Sequence, residues 1–200
     1  MPDGQVTRAT RTRESLLRTA SKILESDGLE AVTLRALGAA AGVSRGAPYR
    51  HFSDKDELLA AVAAEAMRQL RQSMLTATER ATADDPLDRL VGMLEAYVET
   101  AATRPEHYRL IFGTDLTGGR NPDLVAEAQA TYQLLAAAVR DAQAAGALPG
   151  SPSPTDLSAV LLSVTHGLAD LVVTGHATPA KGFADRGALL RLLLTTMRTD

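Results

Sequence analysis

Between Thr33 and Lys55 one short stretch gathers side chains that donate hydrogen bonds or carry positive charge: Thr33, Arg35, Ser44, Arg45, Tyr49, Arg50, His51 and Lys55. Guanidinium and ammonium groups neutralise phosphates, and phenol, imidazole and hydroxyl groups reach base edges, so this set has the chemistry to grip a duplex. Gly46 and Ala47, lying among them, are small enough to allow close approach. The same residues also fit a second pattern. Gly42-Val43-Ser44-Arg45-Gly46 reads as G-x-S-x-G, the nucleophile elbow of a serine hydrolase, and Asp170 and His176 follow in the order of such a triad. An elbow must follow a buried strand, whereas residues 34–41 are alanine-rich and helical in period, so hydrolysis is the remote alternative and no enzyme is expected. His107, His166 and His176 lack metal-ligand spacing, and the chain has no cysteine. Neither metal nor cofactor is expected, and disulfides, zinc fingers and thiol catalysis are excluded.

The elements that carry these groups follow from periodicity. Aromatic residues make up 4% of the chain, tryptophan is absent and no segment alternates as a strand does, so the expected fold is all-α. Residues 1–11 form a polar, flexible basic arm with Arg8 and Arg11, and Arg13 follows just inside the first helix. Leu16, Leu17, Ala20, Ile23 and Leu24 mark that helix from about Thr12 to Asp27. Thr33 caps a short second helix ending at Gly42, and Ser44 caps a third over roughly Arg45 to His51, with Pro48 in its first turn. A capping box of Ser53 and Asp56 opens a long fourth helix whose stripe runs from Leu58 to Met74 and links two domains. Beyond it, Pro86, Pro105, Pro122 and Pro154 stand where first helical residues belong, and 114–120 and 147–153 read as loops. The domains expected are the arm, a helix-turn-helix module over 12–55, and a helical effector and dimerisation domain over 56–200.

Charge divides along the same line. The chain is net −3, yet residues 1–55 hold nine Lys and Arg against six Asp and Glu, while the remainder holds twelve against eighteen. The basic excess sits with the duplex-gripping set. The last two helices, about 154–174 and 184–198, are apolar on most sides and need covering on most sides. They are expected to form a dimer interface through Leu161, Leu168, Leu171, Val172, Leu189, Leu190, Leu193 and Met197. No apolar run approaches the roughly 20 residues of a bilayer span and no secretory signal is evident, so the expectation is a cytoplasmic protein with no membrane partner.

The stretch TLRALGAAAGVSRGAPYRHFSDKDELLAAV, Thr33 to Val62, closely resembles the DNA-binding segment of TetR-family regulators, and with the first helix the likeness covers 12–62. The helix-two alanines, Gly42-Val43-Ser44, the Tyr49-x-His51-Phe52 group and Lys55 all appear in register. That resemblance implies a dimeric, all-helical repressor with an effector pocket in its C-terminal domain, and DNA contacts at Thr33, Arg35, Arg45, Gly46, Ala47, Tyr49, His51 and Lys55. Pro105 to Gly113 and the pair His166-Gly167 resemble the subgroup named for a Trp-His-Gly signature, from which this chain departs by lacking tryptophan.

The function expected is a homodimeric repressor released from a palindromic double-stranded operator when a small, largely apolar effector binds. Met67, Met74, Met93, Tyr97, Tyr108, Phe112, Tyr132, His166 and Asp170 are the candidate pocket lining. For the methionines and aromatics, core packing is the competing reading; for His166 and Asp170, an i, i+4 pair, the choice is between a core pair and polar pocket handles. A dimeric DNA-binding factor with no small-molecule gate is the second function class. A solidly packed C-terminal domain would favour it.

Overall fold

Among the described residues of the computed structural model, four proline-led and four other apolar-striped segments become eight α-helices, and no strand occurs. The structure describes residues 3–80, 85–113 and 121–197, with backbone alone for 3–8 and Arg80. The helices are α1 (Asp3–Asp27), α2 (Leu34–Ala40), α3 (Lys55–Arg80), α4 (Pro86–Thr103), α5 (Pro105–Phe112), α6 (Pro122–Ala144), α7 (Pro154–Val173) and α8 (Arg186–Thr196). The residues before three of the prolines supply the side-chain caps. Asp85 accepts from the Leu87 amide at 2.9 Å, Asn121 from Leu124 at 3.0 Å and Ser153 from Asp156 at 3.2 Å.

Two expectations about helix ends and one about hydropathy are corrected. Helix α1 begins at Asp3 rather than Thr12, so the segment expected as a flexible arm is helical from there. Residues 5–12 contain neither proline nor glycine, and nothing in them stops a helix from extending backwards. The cap of α3 is Asp54, not Ser53: its carboxylate accepts from the Glu57 amide at 2.8 Å, while Glu57 accepts from the Ser53 amide at 2.7 Å. The box is thus Asp54 with Glu57, one residue along from Ser53 with Asp56. Finally, α7 is long and apolar enough to cross a membrane by length and composition alone, with mean hydropathy 1.5 and a third of its window buried. The expected loop 114–120 lies outside the described residues.

The chain divides into two units by packing: residues 1–66 with 106–126, and 67–105 with 127–200. The first unit therefore keeps the beginning of α3, beyond the boundary expected at residues 55 and 56, and also takes α5. Within it α1 packs on α2, and Leu16, Ala20, Leu24, Leu37 and Phe52 are buried. Within the second unit α4 packs on both α7 and α8, burying Leu90, Leu94 and Val98 of α4 and Leu194 of α8. Arg186 pairs with Glu99 at 2.9 Å and Arg191 pairs with Asp88, tying α8 to α4.

That packing changes the membership of the apolar face expected to meet a partner. Leu161, Leu168 and Leu190 are buried inside the chain and so cannot offer free surface. Leu171 stays exposed, and Val172, Leu189, Leu193 and Met197 are half-buried. Three apolar residues outside the expected set, Val160, Val164 and Leu192, are open to solvent.

Candidate nucleic-acid interface

Thr33 opens α2 by accepting from the Ala36 amide at 3.1 Å, as its position predicts. The chain then reverses at Gly42, whose φ of 64° falls in the left-handed region. The Gly42 amide bonds the Ala39 carbonyl at 3.3 Å and the Val43 amide bonds that of Gly38 at 3.2 Å, so the helix end is satisfied by backbone.

The following segment differs from the α-helix expected over Arg45 to His51. It winds as a turn into a 3-10 helix over Pro48–Arg50. Ser44 does not cap it through its hydroxyl; its carbonyl instead accepts from the Ala47 amide at 2.9 Å, three residues on. Proline explains the change. An α-helix opening after Ser44 would bring the residue-48 amide to the Ser44 carbonyl, but Pro48 has no N–H to give, and the tighter i to i+3 bond takes its place. The Arg50 amide to Ala47 at 3.2 Å and the His51 amide to Pro48 at 3.0 Å continue the pattern. The Pro48 ring is buried against α2, where a Cβ added at Gly38 would come within 3.4 Å of its Cγ.

This turn turns its polar groups outward. Tyr49 is 58% exposed, Arg35, Ser44, Arg45, Gly46 and Arg50 are exposed, and Thr33, Ala47, His51 and Lys55 are half-buried. Lys55 Nζ lies 3.4 Å from Glu30, an exposed carboxylate. At the base of the turn Phe52 is buried, with the Arg13 guanidinium 5.3 Å above its ring. Arg13, expected as part of a basic stretch, thus braces the turn from α1. Hydrogen bonds from the Glu57 amide and then the Ser53 hydroxyl hold the Asp54 carboxyl below its usual value.

Sequence reasoning missed a second feature of this unit. His107 on α5 is 4% exposed; its Nε2 lies 2.6 Å from Ser21 Oγ and its Nδ1 lies 3.6 Å from Glu25 Oε1, both on α1. Ser21 and Glu25 are polar residues one turn apart on α1, beside the apolar stripe of Ala20 and Leu24, and that spacing was the available signal.

The residues expected to line an effector pocket fall in both units. Tyr108 and Phe112 belong to the first unit, their rings 5.0 Å apart; the other seven belong to the second. Met67, Met74, Met93, Tyr97 and Tyr108 are buried, and the Tyr132 hydroxyl bonds the Thr155 carbonyl at 2.9 Å. His166 pairs through Nδ1 with the Tyr97 hydroxyl at 2.9 Å, while Asp170 is exposed. A cleft of about 590 Å³ does open between α3 and α4, lined by Gln69, Gln72, Thr76, Glu99, Thr103 and Arg104 among others, none of them in the expected set.

For the hydrolase pattern, Ser44 follows helix α2 rather than a strand, so the G-x-S-x-G match lacks its strand-turn-helix setting. Among the described residues no group of three or more His, Asp or Glu has a metal-holding arrangement.

Comparison with known proteins bears on both units. Residues 16–62 match the family model described as bacterial regulatory proteins, tetR family, and residues 90–197 match that described as Tetracyclin repressor-like, C-terminal domain. The HTH-type transcriptional regulator UidR of Escherichia coli K12 is 26% identical over 205 residues, covering 98% of this chain and 99% of that one. The HTH-type nicotine-responsive transcriptional repressor HdnoR of Paenarthrobacter nicotinovorans is 37% identical over 62 residues, 31% of this chain and 32% of that one. A solved structure of a protein of unknown function from Rhodococcus sp. RHA1 superposes with a TM-score of 0.80 at 30% identity, covering 93% of both chains.

Proposed function

The chain belongs to the TetR family of bacterial regulatory proteins, a DNA-binding transcription regulator, and from that premise we propose that it is a ligand-responsive repressor acting as a homodimer on a palindromic operator. The observation that carries the reading is the outward set on the Gly42–His51 turn. Tyr49 stands exposed on a backbone fixed from beneath by Pro48, Phe52 and Arg13. A large aromatic in water with a rigid base is poised to meet a base edge, and Arg35, Arg45 and Lys55 around it supply charge for phosphates. Two copies set about 34–36 Å apart enter successive major grooves of a two-fold site.

Repression relieved by a ligand requires that the ligand bind the two conformations of the protein unequally, and operator must weaken ligand binding to the same degree, typically by ~1–3 kcal/mol. Support comes from HdnoR, a nicotine-responsive repressor similar to this chain over 62 residues. The dense packing of Met67, Met74 and Met93 favours the second reading, a dimeric DNA-binding factor with no gate.

Selection of bound duplexes from a random pool tests the DNA reading, and screening compounds for release of the selected duplex tests the gate. Tyr49→Ala is expected to lose roughly five- to 150-fold in affinity for the selected site, a good base contact being worth about 1–3 kcal/mol, while affinity for random duplex holds. Equal affinity of the variant for the selected site would remove Tyr49 from the interface.

A further inference from the structure

We propose that His107 is a positioning residue for DNA reading, fastening α5 to α1 so that α5 acts as a support of the recognition turn; the inference rests on the DNA-binding reading above. Residues 106–112 follow α4 directly in sequence, yet they pack in the unit that holds the recognition turn. The fastening is chemically defined. Ser21 and Glu25 stand one helical turn apart on α1, and the imidazole of His107 addresses both, at 2.6 Å through Nε2 and 3.6 Å through Nδ1. A carboxylate beside Nδ1 favours a proton there, which leaves Nε2 as the acceptor for the Ser21 hydroxyl. At 4% exposure this bond is shielded from water, so losing it leaves a polar group poorly solvated.

The same helix touches the recognition turn at its other end. Arg13 lies over Phe52, and eight residues separate Arg13 from Ser21, about 12 Å of unbroken α-helix. A continuous helix of this length transmits a shift or tilt with little internal give. Contacts therefore run without a gap from His107 through α1 to Phe52 and the base of the Tyr49 turn, a physical route by which the seating of α5 sets the aim of Tyr49. A triad role for Ser21 is a poor match to the same geometry, since Ser21 lies in the middle of α1, away from free backbone amides that could hold an oxyanion.

The test compares Ser21→Ala, His107→Ala and His107→Gln with the wild-type chain. Glutamine reaches the Nε2 position with an amide that can still pair with Ser21 but cannot serve as an imidazole. Two readouts are taken: operator affinity, and hydrogen exchange of amides 106–112 without DNA. Ser21→Ala and His107→Ala are expected to weaken operator binding about three- to tenfold, the scale of one buried hydrogen bond, and to speed exchange in α5. His107→Gln should restore most of both, and the Ser21→Ala, His107→Ala double variant should bind operator no worse than His107→Ala alone. Unchanged operator affinity in Ser21→Ala, with α5 exchange accelerated, would overturn the positioning role; unchanged exchange would overturn the fastening itself. Should the wild-type chain bind no duplex at low ionic strength, the DNA reading fails, while the exchange arm still scores the fastening.

Discussion

Lys55 illustrates how a side chain with an assigned partner differs from a bare charge. Its amine already lies 3.4 Å from Glu30, so a phosphate must displace a carboxylate that is 94% exposed and weakly held. Lys55→Ala is expected to weaken binding to every duplex alike and to reduce the slope of log affinity against log salt by about one. Glu30→Gln should shift affinity the other way, raising it up to a few-fold for all duplexes, because the amine no longer exchanges partners. Filter binding across a salt series measures both, and a sequence-selective effect of either would place Lys55 on a base. Most of the residues facing outward on this turn were legible beforehand, because residue type alone separates donors and cations from core. The Ser21, Glu25 and His107 cluster was legible only in part: the i, i+4 spacing of Ser21 and Glu25 stands in the sequence, but His107 lies 86 residues on from Ser21 and nothing local marks their meeting.

At the scale of elements, prolines predicted helix starts better than caps predicted helix type. Pro86, Pro105, Pro122 and Pro154 each begin a helix as read, because a fixed φ and a missing donor suit a first turn. Pro48 went the other way: counted from Ser44 it stands at the fourth position, where the missing donor breaks an α-helical bond and leaves a 3-10 turn. Pattern matching saw the proline; only the hydrogen-bond count located its effect. The link between α3 and α6 was equally invisible, being made by Arg68 and Arg71, both to Glu127, at 2.8 and 3.0 Å. Burial pushes the Glu127 carboxyl up, but hydrogen bonds from Arg71 and Arg68 and their charge outweigh it, and the group sits below its ordinary value of 4.5. A lowered carboxyl stabilises the fold fully above its unfolded value, and that contribution fades as pH falls through the lower folded one. Glu127→Gln is therefore expected to cost about 1 kcal/mol at neutral pH, a figure reduced by the partial exposure of both arginines, and to cost progressively less as the medium is acidified below the ordinary value of 4.5. Urea unfolding of the two proteins at neutral and acid pH checks this, and a constant difference across pH would reject the ion-pair account.

For the whole molecule, the decisive surface is the apolar face that the single chain leaves open on α7 and α8. Val160, Val164 and Leu171 are spaced i, i+4 and i+11 and fall on one stripe of α7; all are more than a third exposed, and Leu192 of α8 is 59% exposed. Leu161 and Leu168, on the adjoining face, are already buried in the chain, which is why reading α7 as apolar on most sides overstated what a partner has to cover. A 20-residue helix of mean hydropathy 1.5 with a third of its window buried satisfies the length rule for a membrane span, yet its exposed stripe is what a second copy of the chain would bury in a two-fold bundle. A two-fold partner buries the same patch of both copies, so one charge introduced into the stripe must be buried twice. Val164→Asp with Leu171→Asp is accordingly expected to give a monomer by sedimentation, with the helical content of the protomer retained because neither side chain is buried within it. Such a monomer keeps one recognition turn and one half-site. Its affinity for the full operator should collapse to that of the isolated half-site, whereas a wild-type dimer would gain from engaging both at once through the high effective concentration of the second turn. If the double variant stayed dimeric, the partner surface would have to lie elsewhere on the molecule; if it became monomeric and still bound the full operator as tightly as the wild type, two-fold reading of a palindrome would be excluded.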